Sequence, residues 1–230
     1  STAFDGGYQT GVWLTLGIVL AYTAIGGFLA VCLTDFVQGC IMMLALIIMP
    51  IVVLYTGDGG GFAQAGETLS GIQGFTLSWW NEDMTLIGWL SLMAWGLGYF
   101  GQPHIIVRFM AVRSVAEVST ARNYAMSWMA ISLIGAVGVG IFGRAYVERS
   151  GITLADPETI FILLAETLFP ALITGFLFAA LLAAIMSTVS SQLLVSSSSL
   201  AEDFYRLLVN KKASDRTIVT VGRLAVVAVG

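Results

Sequence analysis

The chain has 230 residues, of which 57% are hydrophobic and only 10% charged; a soluble domain carries about 25% charged residues, so a water-exposed globular fold is excluded. A net charge of -4 leaves no basic surface for nucleic acid. HExxH, GxSxG and P-loop patterns do not occur and His104 is the only histidine, so the chain does not carry the working set of an enzyme.

A membrane span needs roughly 20 mostly apolar residues. Five stretches have that character, 8–24, 28–55, 84–112, 124–146 and 171–195, and a further one begins at 218. The fold class expected is therefore all-α, a polytopic membrane protein, with residues 1–230 forming one transmembrane domain. The opening residues have no basic n-region or cleavage pattern and the last ones stop inside a hydrophobic run, so both ends read as cuts through a longer protein.

The first span ends at Gly26-Gly27, a tight turn without charges, which predicts an antiparallel helix pair with almost no loop. In the second span Cys32 and Cys40 stand about 12 Å apart along the axis and cannot bond to each other. Asp35 lies about two turns into the same span, beside Thr34 and one turn before Gln38. A carboxylate at that depth is expensive, so it should face the bundle interior or a watery cavity and attract a cation. The plainer alternative is an interfacial acid bonded to Thr34 or to nearby backbone.

The connection 56–83 is Gly-rich and acidic, with Asp58, Glu67, Glu82 and Asp83, and Trp79-Trp80 suit a headgroup belt. The third span contains MAWGLGYFGQPH, residues 93–104. Gly96, Gly98, Gly101 and Pro103 weaken or remove helix hydrogen bonds, which predicts a helix that breaks. Unwound backbone at membrane depth is tolerated only inside protein or beside a watery cavity, and discontinuous helices mark the substrate sites of secondary transporters. Trp95 and Tyr99, four apart, share a face there and suit the wall of a pocket for a small, partly apolar solute. An aromatic pair packed between helices is the alternative; His104 is assigned no catalytic role.

In the fourth span Gly135, Ala136, Gly138, Gly140 and Gly143, which include the small-xxx-small pair Ala136 and Gly140, predict close helix packing. Residues 157–169 read as a short helix on the outer face before Pro170 opens the fifth span. Arg108, Arg113 and Arg122, and later Arg206, Lys211, Lys212 and Arg216, place their two loops on the cytoplasmic side. In the fifth span Ala184, Ser187, Thr188 and Ser191 fall on one helical face as a row of hydroxyls. Back-bonding to the carbonyl one turn earlier explains most such residues. Two adjacent hydroxyls and a loosened carbonyl also offer the hard neutral oxygens that Na⁺ prefers.

The segments IGGFLAV with its following Thr34-Asp35, WGLGYFGQPHI with RFMA behind it, and AAIMST followed by SSQLLVSSS and EDFY together resemble the sodium:solute symporter family across nearly the whole chain. The WGLGYFGQPH segment is similar to that of the family's bacterial proline carriers in particular. The resemblance implies a LeuT-type inverted-repeat helical bundle and sodium-coupled uptake of L-proline by alternating access in the bacterial inner (cytoplasmic) membrane. It implies a sodium site from the Ala184 carbonyl and the Ser187 and Thr188 hydroxyls, completed by a broken first helix outside this chain. Trp95, Tyr99 and Pro103 would then be substrate-binding and Asp35 the acid important for sodium coupling. No cofactor is implied; the partners are L-proline or a similar solute, Na⁺ as coupling ion, and the bilayer. The same residues leave open another solute, such as pantothenate or a sugar, and a transporter-like sensor fused to a signalling kinase.

Overall fold

The computed structural model describes residues 7–55, 61–72 and 84–230, and every regular element among them is helical. They divide into two compact units, Ser1–Met49 with Asp156–Gly230, and Pro50–Ala155. Among the described residues, three helices are long and apolar enough to cross a membrane by length and composition, Tyr8–Tyr55, Val115–Ser150 and Ala171–Val209, with Leu86–Gly101 a shorter apolar one.

In the first unit, helix α1 (Tyr8–Tyr55) is two helices joined at Gly27, whose φ of 57° and ψ of -150° are not helical. That region is closed to residues with a Cβ. A Cβ on Gly26 would collide with that of Ala30, so both glycines are required by the bend. The limbs fold back on each other, as the sequence predicts. Tyr22 and Asp35 would stand roughly 20 Å apart on one straight helix, yet they meet one short stretch of the chain, at the Met186 carbonyl and the Ser191 hydroxyl. Arg223 reaches the Ile25 carbonyl at 3.4 Å, supplying a donor to the C-terminus of the first limb. Cys32 and Cys40 are not joined in a disulfide.

The expected short helix before the fifth span is a 3₁₀ turn, Pro157–Thr159, running into α6 (Ile160–Leu168). Asp156 caps that turn at 3.0 Å from the Glu158 amide. Thr174 ties α6 to α7 (Ala171–Ser199) through the Ala165 carbonyl at 2.9 Å. Beyond Ser199 the chain widens into a π-helix, Leu200–Val209, before α8 (Asp215–Val229), whose N-cap is Ser214.

The second unit contains α2 (Gly61–Ser70), α3 (Leu86–Gly98), a 3₁₀ turn (Tyr99–Gly101), α4 (Pro103–Met110) and α5 (Val115–Ser150). Helix α2 lies inside the Gly-rich connection 56–83, for which the sequence predicts no helix. Ala65 and Leu69, one turn apart, pack against Ala145, and Phe62 meets Phe142 edge-on at 5.3 Å. Burial of that stripe outweighs the helix-weakening glycines around it. Asp58, Trp79, Trp80, Glu82 and Asp83 lie outside the described residues.

Close packing on α5 uses a different face from the one the Ala136 and Gly140 pair suggested. Those two are exposed, whereas Gly135, Gly138 and Gly143 are buried. A Cβ on Gly138 would stand 3.0 Å from the Pro50 ring. Gly138→Val should therefore lower the melting temperature of the detergent-solubilised protein, at a cost of about 1–3 kcal/mol, while Gly140→Val, which meets nothing within 4 Å, should leave it unchanged.

Candidate functional site

Two constellations are built on these elements, one in each unit. In the first, α7 carries the row of hydroxyls. Ser187 Oγ and Thr188 Oγ1 each donate to the Ala184 carbonyl at 3.1 Å. This is the back-bonded arrangement expected of hydroxyls in an apolar helix. It also gathers one carbonyl and two hydroxyl oxygens within a single turn. Each hydroxyl has one proton, already directed at Ala184, and keeps lone pairs that can accept a cation. Ala184 and Thr188 are exposed and Ser187 is half-buried, so the oxygens can be approached. Neutral oxygens suit an alkali cation and not a soft metal; among the described residues no cluster of His, Cys, Asp and Glu could hold a transition metal.

One turn further on, Ser191 Oγ lies 2.7 Å from the Ser187 carbonyl and 3.3 Å from Asp35 Oδ2. Asp35 is 9% exposed, and it faces α7. Its neighbour Thr34 directs its hydroxyl at the Ala30 and Val31 carbonyls, 2.9 and 3.0 Å away. The hydroxyl that reaches the carboxylate is thus Ser191. The structure therefore brings Asp35 to the same face of α7 as Ser187 through one intervening serine. The sequence supplied both groups without linking them.

It also missed Tyr22 and Ser190. The Tyr22 hydroxyl donates to the Met186 carbonyl at 3.3 Å and interacts with the Ser190 and Gln38 side chains and with the charge of Asp35. The hairpin geometry contains the signal. Folding at Gly26-Gly27 sets Tyr22 level with residue 31 or so, and its Cβ leans toward the helix N-terminus, away from the turn. A tyrosine side chain then covers the remaining distance of about 6 Å to the level of Asp35.

The second constellation is the break between α3 and α4. Gly98 and Tyr99 keep helical dihedrals, so Tyr99 follows Trp95 by one turn. Gln102 then opens to φ -97°, ψ 99°, and Pro103 starts α4 at its first position, where a missing N–H costs nothing. The Gln102 amide bonds the Tyr99 carbonyl at 3.3 Å and the Ile105 amide bonds that of Gln102 at 3.1 Å. The amides that an α-helix would aim at Gly98 and Gly101 are diverted. The α-helical ladder is interrupted at Gln102, as the sequence predicts. Tyr99 and His104 are half-buried and Pro103 is exposed.

A model of the sodium:solute symporter family matches residues 1–230. Over 224 residues, 96% of this chain and 46% of the relative, the chain is 54% identical to the high-affinity proline transporter PutP of Bacillus subtilis. It is 47% identical to the osmoregulated proline transporter OpuE of the same organism, over 99% of this chain and 46% of the relative. With sodium/proline symporter 2 of Staphylococcus saprophyticus it shares 48% identity over 99% of its length and 44% of the relative's. The chain thus spans about half the length of the curated relatives it matches.

Proposed function

The chain belongs to the sodium:solute symporter family, and from that premise we propose that its parent protein couples inward Na⁺ movement to uptake of L-proline by alternating access. It is a multi-pass membrane protein, and the reading extends to a carrier, not an enzyme, in the bacterial cytoplasmic membrane. One observation carries the proposal: relatives named as proline transporters match nearly the whole chain at 47 to 54% identity. A potential of about 100 mV contributes roughly 2.3 kcal/mol per charge moved, so one Na⁺ can support somewhat under two decades of accumulation.

In this reading Na⁺ is held by the Ala184 carbonyl and the Ser187 and Thr188 hydroxyls, with further ligands from the family's broken first helix, as the resemblance implies. Asp35, buried beside Ser191, contributes a negative field one turn away and favours entry of the cation. The interrupted backbone around Gln102, with Trp95, Tyr99 and Pro103, receives the solute. A pyrrolidine ring suits an aromatic wall, and its charged amine and carboxylate suit exposed backbone dipoles.

The reading is tested by equilibrium binding of labelled L-proline to the purified full-length protein, with sodium or with choline. Binding should require sodium and be competed by unlabelled L-proline, not by pantothenate or sugars. Trp95→Ala should weaken proline binding at saturating sodium by about tenfold, the loss of a large aromatic contact; unaltered affinity would remove Trp95 from the pocket.

A further inference from the structure

The hydroxyl of Tyr22 stands where three helical segments meet: its own limb of α1, the return limb carrying Asp35 and Gln38, and the turn of α7 from Ala184 to Ser191. It donates its single proton to the Met186 carbonyl at 3.3 Å, and the side chains of Ser190 and Gln38 lie in its polar surroundings. Met186 lies between Ala184 and Ser187, so the bond is made to the backbone of the turn that carries the candidate sodium oxygens. Ser190, fully buried, donates to the Ser187 carbonyl at 3.1 Å. Tyr22 therefore holds that turn through its backbone, at Met186, without being placed among its ligands.

We propose that Tyr22 is a positioning residue for the sodium half-site: its hydroxyl pins the Met186 to Ser190 segment of α7 to the α1 hairpin and so fixes the distance between the Ser187 and Thr188 hydroxyls and the Asp35 carboxylate. The proposal rests on the sodium reading given above. The physical reason is that back-bonded hydroxyls loosen the carbonyls they share, and a helix carrying Ser187, Thr188, Ser190 and Ser191 in succession bends easily. Ligand oxygens must be held to within about 0.5 Å to select a cation. A partner group bonded to the backbone of that turn supplies the restraint, as outer residues do at other ion sites. Gln38, one turn beyond Asp35 on the return limb, interacts with the Tyr22 side chain.

The test is sodium-dependent L-proline uptake by the full-length protein in proteoliposomes, varying sodium and proline separately. Tyr22→Phe keeps the ring and removes only the hydroxyl. The sodium concentration for half-maximal uptake should rise about fivefold, the equivalent of one ordinary hydrogen bond, while the proline half-saturation at saturating sodium and the maximal rate stay within about twofold. Gln38→Leu should raise the sodium requirement less, and the double variant should need no more sodium than Tyr22→Phe alone, because Gln38 acts through Tyr22. Unchanged sodium dependence in Tyr22→Phe, or an equal loss in the proline constant and the rate, overturns the proposal. Should Tyr22→Phe not fold, a folded Gln38→Leu with normal sodium dependence overturns it equally. Sodium-independent uptake by the unaltered protein would instead overturn the symport reading, before any variant is made.

Discussion

Replacing Ser187 and Thr188 together by alanine is expected to raise the sodium concentration for half-maximal uptake by about ten- to a hundredfold, because two oxygens that each contribute roughly 1–1.5 kcal/mol are removed from one cation. Each single variant should show a smaller rise in the same direction. The helix itself should survive, since alanine is the better helix former and both hydroxyls are bonded only within their own turn. Helical content and melting in detergent therefore serve as controls. Flux assays at saturating sodium should recover most of the maximal rate, which separates lost cation affinity from lost protein. Normal sodium dependence in the double variant would remove the site assignment, leaving the two hydroxyls as back-bonded residues of an apolar helix.

Gly27→Ala and Gly26→Val are expected to cost more than any other substitutions in the hairpin. Gly27 sits at φ 57°, ψ -150°, where a Cβ costs about 1–3 kcal/mol or more. Any side chain on Gly26 meets the Ala30 Cβ. Shifting either residue to relieve the clash would turn the limbs away from each other and separate Tyr22 from Gln38 and Asp35. The yield of monodisperse full-length protein in detergent should fall severalfold for both variants, with loss of uptake in the fraction that survives. By contrast Gly11→Ala and Gly17→Ala, each with open space around the site, should accumulate normally. Equal yields for all four would mean that the turn tolerates another backbone path.

How much of this was legible in the sequence follows from where each signal resides. The hairpin and the break at Gln102 were legible because glycine and proline act through the local backbone, whose dihedrals and missing amide are decided by the residue itself. The row of hydroxyls on α7 was legible for a similar reason, since helical spacing alone places Ser187 and Thr188 over Ala184. What the sequence did not give depends on neighbours. The buried side of α5 is fixed by Pro50 pressing on Gly138, and no periodicity within α5 prefers Gly138 over Gly140. Helix α2 forms because Ala65 and Leu69 find Ala145, a partner some 80 residues away. The link from Asp35 to Ser187 through Ser191, and the reach of Tyr22 to Met186, need the hairpin and α7 side by side before either can be seen.

The decisive measurement is uptake of labelled L-proline by the full-length parent in proteoliposomes, with and without an inward sodium gradient at a fixed membrane potential. The account predicts transient accumulation above the equilibrium level that disappears when choline replaces sodium or when an ionophore collapses the gradient. Accumulation indifferent to sodium, or none at all from folded protein that is shown to bind another solute, would contradict it.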